Sequence, residues 1–226
     1  MIRDSKMLPQ DKATQMVRRR YNRIAPLYDG MEGLVERSRY TRWRDLLWSK
    51  VEGTRILEVG VGTGKNLQYY PAGAEMTAID LSEKMLERAK RKASVQKLEV
   101  HLQQMDVQKL EFADKSFDTV VASFVFCSVS DPVRGLMEVK RVCKEGGKVV
   151  LMEHMRSPNR ILNMFMDFVN LVSVRIMGEN VNRRTVDNVR KSGLEVEQVT
   201  DLGLGIFQLI EARKKPQASE SMGQPT

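Results

Sequence analysis

Ile56-Leu57-Glu58-Val59-Gly60-Val61-Gly62-Thr63-Gly64 is an aliphatic run that ends in an acid and opens into three glycines at alternate positions. Such a run reads as a buried strand bounded by a turn. Glycine at 60, 62 and 64 permits positive φ and lets backbone amides approach a ligand closely. The spacing is G-x-G-x-G, whereas a pyrophosphate cradle uses G-x-G-x-x-G. Glu58 argues in the same direction: a carboxylate beside the turn repels phosphate, but accepts from an ammonium group directly or through water. The ligand expected here is a nucleoside whose far end is an amino acid.

Working outward, the next strand, Met76-Thr77-Ala78-Ile79-Asp80, ends in an acid sixteen residues after Gly64. A carboxylate at that place accepts from both ribose hydroxyls. A third strand leads into Met105-Asp106-Val107. Asp106 is expected to accept from an adenine amino group while Val107 or Leu81 packs on the ring. Further out the pattern alternates. Strands are expected at Arg55–Val59, Glu75–Ile79, Leu98–Gln103, Thr119–Ser123 and Lys148–Met152, with helical stretches at Gly64–Tyr70, Glu83–Lys92 and Val133–Cys143. Val196–Asp201 and Phe207–Ala212 read as a late antiparallel pair, and 183–192 as a charged helix. Strands alternating with helices imply an α/β, Rossmann-like sheet of seven mostly parallel strands with helices on both faces. Ligands in such sheets sit beyond the carboxyl ends of the strands, where the strand order reverses.

Residues 12–28 read as an amphipathic helix ending before Pro26, and 33–50 as a second helix. Together, 1–50 form an N-terminal helical lid on a domain spanning 51–213. Residues 214–226, rich in Pro, Gln, Ser and Gly, read as a disordered tail. The net charge is +8, and residues 1–50 carry twelve Lys/Arg against six Asp/Glu, so the basic excess is concentrated in the lid. Arg18, Arg19, Arg20 and Arg23 form a patch that favours a polyanion or an anionic membrane surface, or is a solvated helix face. Hydrophobic content of 42% and charged content of 29% are globular values. The stretch Met1 to Gln10 lacks the apolar region of a secretory signal, and no apolar run reaches the length of a membrane span. Cys127 and Cys143 have no metal-ligand spacing, so no metal site is expected and a reduced intracellular setting is.

The combination resembles a known family. Leu57–Gly64, the run Ala78-Ile79-Asp80-Leu81-Ser82-Glu83-Lys84-Met85-Leu86, Phe117-Asp118-Thr119-Val120-Val121 and Arg141-Val142-Cys143-Lys144-Glu145-Gly146-Gly147 are similar to class I methyltransferases of the ubiquinone/menaquinone-biosynthesis type. The likeness covers about residues 17–155. It implies S-adenosylmethionine as cofactor, with contacts at Gly60, Gly62, Asp80, Leu81, Met85, Asp106, Val107 and Ser123. Tyr21 and Ala25-Pro26-Leu27-Tyr28-Asp29 match the family's N-terminal lid, where the second tyrosine, Tyr28, approaches the cofactor. The chain departs from relatives at Cys143-Lys144-Glu145, where they carry Leu-Lys/Arg-Pro.

The acceptor is less legible. Within the family the chain most resembles bacterial phosphatidylethanolamine N-methyltransferases, although these have Asn-His where it has Glu153-His154. Membrane-associated thiol methyltransferases are similar at Glu153-His154, and the quinone C-methyltransferases share the core. Methylation of a phospholipid amine is therefore expected, with C-methylation of a quinone precursor or methylation of a small thiol as alternatives. Residues 161–177, apolar nearly all round and holding Met164, Met166 and Met177, suit an apolar ligand or a core helix. His154, at the carboxyl end of the fifth strand, and Tyr21 are the candidate proton acceptors. His101, in the third strand, reads as structural. Arg183 and Arg184 are candidates for binding a phosphate, or for surface ion pairs. After the fourth strand stands Ser123-Phe124-Val125-Phe126, with no Asn/Asp-Pro-Pro-Tyr loop, so nucleic acid is not the expected substrate. The expected protein is a cytoplasmic monomer or weak oligomer, peripherally associated with an anionic membrane.

Overall fold

The computed structural model describes residues 9–33, 39–155, 184–203 and 205–216. Two helices, α1 (Pro9–Gly33) and α2 (Arg39–Trp48), precede a sheet built from β1 (Arg55–Val59), β2 (Glu75–Asp80), β3 (His101–Gln104), β4 (Phe117–Ser123), β5 (Cys143–His154), β6 (Glu195–Gly203) and β7 (Phe207–Arg213). Helices α3 (Glu83–Gln96), α4 (Pro132–Val142) and α5 (Thr185–Lys191) lie between strands. The strand order is β3-β2-β1-β4-β5-β7-β6. The first five strands run parallel, and β7 pairs antiparallel with both β5 and β6. The seven-stranded, mostly parallel Rossmann-like sheet read from the sequence is thus the observed one, with the strand order reversing between β1 and β4.

Alternation along the strands explains the layers. Leu57, Val59, Val120, Ala122, Val149 and Leu151 face a core closed by Leu136, Val139 and Val142 of α4 and Val189 of α5. Ile56, Met76, Val121, Val150 and Met152 face the other way, against Leu47 and Trp48 of α2. Ala78 on that second face packs with Leu86 and Ala89 of α3. The helices begin where side chains satisfy their first amides. The Ser82 hydroxyl accepts from Met85 N at 3.2 Å at the start of α3, and Asp131 accepts from Arg134 N at 3.0 Å at the start of α4.

Several expectations are corrected. The first helix runs through Pro26 to Gly33, although proline gives up one backbone bond there. The second helix is shorter than 33–50. The stretch Gly64–Tyr70 forms only the 3-10 turn Leu67–Tyr69; Gly64 at φ +81° and Pro71 deny a longer helix its ends. Helix α4 passes into β5 at Cys143 without a loop, so the chain's departure from its relatives sits at a helix–strand junction. Lys214, read as the first residue of a disordered tail, is buried, with its ammonium donating to the Cys143 carbonyl at 3.0 Å. The apolar stretch 161–177 lies outside the described residues. Among the described residues, no helix is long and apolar enough to cross a membrane.

Candidate functional site

Beyond the carboxyl ends of β1, β2 and β4, at the reversal of strand order, lies a cavity enclosing about 750 Å3 including its open mouth. Its floor is the glycine turn. Gly60 and Gly62 adopt φ +70° and +56°. A Cβ on Gly62 would meet nothing within 4 Å, so its backbone faces open cavity, whereas one on Gly60 would lie 2.4 Å from the Val125 side chain. Gly64 does another job: a Cβ there would strike Leu67 and the Ala89 backbone, so this glycine lets α3 pack close under the turn. It does not line the cavity.

Asp80, half-buried at the end of β2, ties the floor together. One carboxylate oxygen accepts from Gly62 N at 2.8 Å and the other from Ser82 N at 2.7 Å. Each oxygen keeps a second acceptor site. Burial, only partly countered by those two amides, pushes this carboxyl up to about 6. Asp106 accepts from Gln108 N at 2.9 Å and from the Gln108 side-chain amide at 3.1 Å. Leu81, Met85, Val107 and Ser123 line the same cavity, together with Gly60, Gly62, Asp80 and Asp106.

Helix α1 supplies the roof. Thr14, Val17 and Tyr21, at positions i, i+3 and i+7, face the cavity, while Arg18, Arg19 and Arg23 are exposed. The Gln108 amide donates to Thr14 Oγ1 at 3.1 Å, and its carbonyl accepts from the Ser130 hydroxyl and Asp131 N at 2.9 Å each. Thr14 Oγ1 and Ser130 Oγ are 2.9 Å apart. About two turns further along, Asn22 Oδ1 accepts from the Ser82 hydroxyl at 2.6 Å. Sequence reasoning missed Thr14, Asn22, Gln108 and Ser130. The only signal available was the 14–17–21 spacing, since the polar partners lie tens of residues apart.

Ser123, Phe124 and Val125 form another wall of the cavity. Phe124 has φ +57°, a left-handed conformation that costs a bulky residue on the order of 1–3 kcal/mol. Fully buried Glu153 explains how it persists: one carboxylate oxygen accepts from both Val125 N and Phe126 N at 2.9 Å. The Phe124 ring lies 4.5 Å from the His154 ring and 5.7 Å from Tyr40, in a cluster completed by Trp43 and Phe207.

Other candidates fall elsewhere. Glu58 is fully buried beneath the turn and does not line the cavity. It accepts from Asn66 Nδ2 at 2.6 Å and from the Tyr70 hydroxyl, and Arg44 donates to Asn66 Oδ1. Burial raises its carboxyl above the ordinary value against those partners. Asn66 also donates to Ser123 Oγ at 3.0 Å, so Glu58 supports the cavity wall from below. His154 does not line the cavity either. Burial between Phe124 and Phe207 lowers it to about 4, which leaves a neutral but feeble base, and its Nδ1 has no hydrogen-bond partner among the described residues. His101, read as structural, is exposed at the start of β3. Arg184 is exposed ahead of α5, away from the cavity. Arg183 and the Tyr28 side chain lie outside the described residues.

The residues fit an adenosine bearing an amino-acid end. Gly62 leaves free space over a backbone turn, Asp80 keeps one acceptor site on each oxygen, and apolar Leu81, Met85 and Val107 line the cavity beside Asp106. Residues 57–151 match a family model described as a methyltransferase domain. The chain is 44% identical over 140 residues to a phosphatidylethanolamine N-methyltransferase of Cereibacter sphaeroides, covering 61% of this chain and 68% of that one. It is 27% identical over 230 residues to a ubiquinone/menaquinone biosynthesis C-methyltransferase of the same species, covering 89% and 92%. A solved S-adenosylmethionine-dependent methyltransferase from Thermotoga maritima shares the fold, with a TM-score of 0.70 at 23% identity, covering 87% of this chain and 99% of that one. With its strand order, its glycine turn and these relatives taken together, the chain belongs to the S-adenosylmethionine-dependent methyltransferases.

Proposed function

We propose that the protein N-methylates the amine of a phospholipid head group, working at the surface of an anionic membrane. The observation that carries this reading is the 44% identity to a phosphatidylethanolamine N-methyltransferase across 68% of that relative's length. The exposed arginines of α1 support the membrane surface, since each basic side chain near anionic lipid contributes about 1 kcal/mol. The aromatic cluster behind Phe124 supports an amine, because ring faces attract an ammonium and tolerate the added methyl groups.

S-adenosylmethionine, when bound, supplies a methyl group already activated on a sulfonium. The work left to the protein is alignment. In this reading Asp80 holds the ribose hydroxyls, Asp106 the adenine amino group, and Leu81, Met85 and Val107 the ring faces. Gly60 and Gly62 leave room for the amino-acid end, with Ser123 beside it. Tyr21, on the cavity wall, orients the acceptor nitrogen, which gives its proton to solvent water before its lone pair attacks the methyl group. His154 belongs to the aromatic wall, since a group titrating near 4 takes a proton from an ammonium poorly.

Labelled S-adenosylmethionine, offered with phosphatidylethanolamine vesicles, quinone precursors and small thiols in parallel, tests the reading. Label is expected in the vesicle fraction, with incorporation falling as salt screens the α1 arginines. Label confined to quinone or thiol overturns it.

A further inference from the structure

We propose that Phe124 is the acceptor-side wall of the cofactor cavity, and that the buried Glu153 is the positioning residue that holds it there. The proposal rests on methyl transfer itself and not on the amine reading.

Three non-glycine residues have positive φ among the described residues: Lys97, Lys115 and Phe124. Lys97 is the left-handed cap that ends α3, an ordinary place for that conformation. Phe124 has no such excuse. It follows the last residue of β4, its N–H still donates to the Met152 carbonyl at 2.7 Å, and the chain then turns sharply to start the loop toward α4. The turn brings two successive amides, Val125 N and Phe126 N, onto a single oxygen of Glu153. Glu153 lies on β5, the neighbour of β4, so the acceptor of these amides is fixed by the sheet and not by the loop it holds. Removing that acceptor leaves two amides in a buried setting without a partner, and the loop then gains by relaxing Phe124 to negative φ.

The consequence is positional. Phe124 lines the cavity beside Gly60 and Asp80, and its ring also meets His154, Tyr40 and Phe207. It is where the cavity and the aromatic cluster share a surface. His154 Nδ1, buried in that cluster with no hydrogen-bond partner among the described residues, is a polar atom of the kind that meets a ligand group. An acceptor reaching the methyl group from this side must pass or pack against Phe124. The ring's position therefore selects the acceptor while leaving the cofactor's own contacts on β1 and β2 alone.

The test uses whichever acceptor the full-length protein methylates, so failure of the amine reading does not touch it. Glu153→Gln keeps an oxygen able to accept both amides, and its acceptor KM is expected to stay within about threefold of the parent. Glu153→Leu removes the acceptor atom and is expected to raise acceptor KM about tenfold or more, with S-adenosylmethionine affinity within about twofold by calorimetry. Phe124→Gly suits the left-handed turn and deletes only the ring, so it folds whether or not Glu153→Leu does. It is expected to raise acceptor KM in the same direction and to alter the ratio of rates between a bulky and a slim acceptor. The double variant should be no worse than Phe124→Gly alone, because Glu153 acts through the ring. Additive effects, loss of acceptor binding in Glu153→Gln, or an unchanged acceptor KM in Phe124→Gly would each overturn the proposal.

Discussion

The two ends of the cavity are built in different ways. The donor end is backbone amides and carboxylates: Gly62 and Ser82 bind Asp80, and Gln108 binds Asp106. Each of these partners lies within twenty residues of its mate, and the set follows from one βα unit and the strands beside it. The end proposed for the acceptor is aromatic, with Tyr40, Trp43, Phe124, His154 and Phe207 drawn from four separated parts of the chain. Directional hydrogen bonds suit a ligand that never changes. Ring faces fix a position without fixing a hydrogen-bond pattern, so this end has freedom to follow a different acceptor. On the proposed assignment, donor and acceptor binding are expected to be separable by mutation.

The largest effect is expected at Asp80. Asp80→Ala removes the carboxylate proposed to hold the two ribose hydroxyls and strands the Gly62 and Ser82 amides. At about 1.5–3 kcal/mol per charged hydrogen bond, S-adenosylmethionine affinity should fall about 100-fold or more by calorimetry. Acceptor KM, measured at saturating cofactor, should move little. A comparable change in both would break the separation.

A pH series sharpens the same contrast. The Asp80 carboxyl is pushed up to about 6, so it loses its charge in mild acid, and S-adenosylmethionine affinity should drop about tenfold between pH 7 and pH 5. Asp80→Asn should flatten that slope. Stability carries the opposite sign. An acid whose folded value is raised contributes stability that is present below its ordinary 3.8 and lost as pH rises through about 6. Without cofactor, the melting temperature of the parent relative to Asp80→Asn should thus fall between pH 4 and 7, where cofactor binding strengthens. His154, lowered to about 4, behaves in reverse: its contribution is present above 6.5 and lost as pH falls toward 4. Asp80 therefore changes charge just below neutral pH, where His154 stays uncharged.

The same division governed what could be read from the chain. The glycine turn, Asp80 and Asp106 announce themselves because strand period and turn chemistry are local properties. All seven strands and the antiparallel pair were legible on those grounds. Glu58 was misplaced because a carboxylate next to a glycine turn looks the same whether it faces a ligand or lies beneath the turn bound to Tyr70 and Asn66. Only the partners distinguish the two, and Tyr70 is reached through a 3-10 turn that the composition suggested was a longer helix. His154 looked like a base at a strand end until Phe124 and Phe207, 30 and 53 residues away in the chain, were seen to bury it. Glu153 beside it registered only as a departure from the Asn-His of relatives, and its oxygen serves the backbone of the β4 loop. Side chains whose role depends on a distant partner carry no periodic signal.

The roof asks whether α1 belongs to the donor end. Thr14 bonds Gln108, which in turn holds Asp106, so a chain of contacts runs from the first helix to the adenine side of the floor. Thr14→Val keeps shape but removes the hydroxyl, leaving the Gln108 amide its bonds to Asp106 and the Ser130 hydroxyl its bond to Gln108. One neutral hydrogen bond of this kind contributes about 1 kcal/mol, so S-adenosylmethionine affinity should weaken only about fivefold. The loss should appear as faster release, because the floor is intact and only the closure is loosened. A change in acceptor KM with cofactor affinity unaltered would instead assign α1 to the acceptor end.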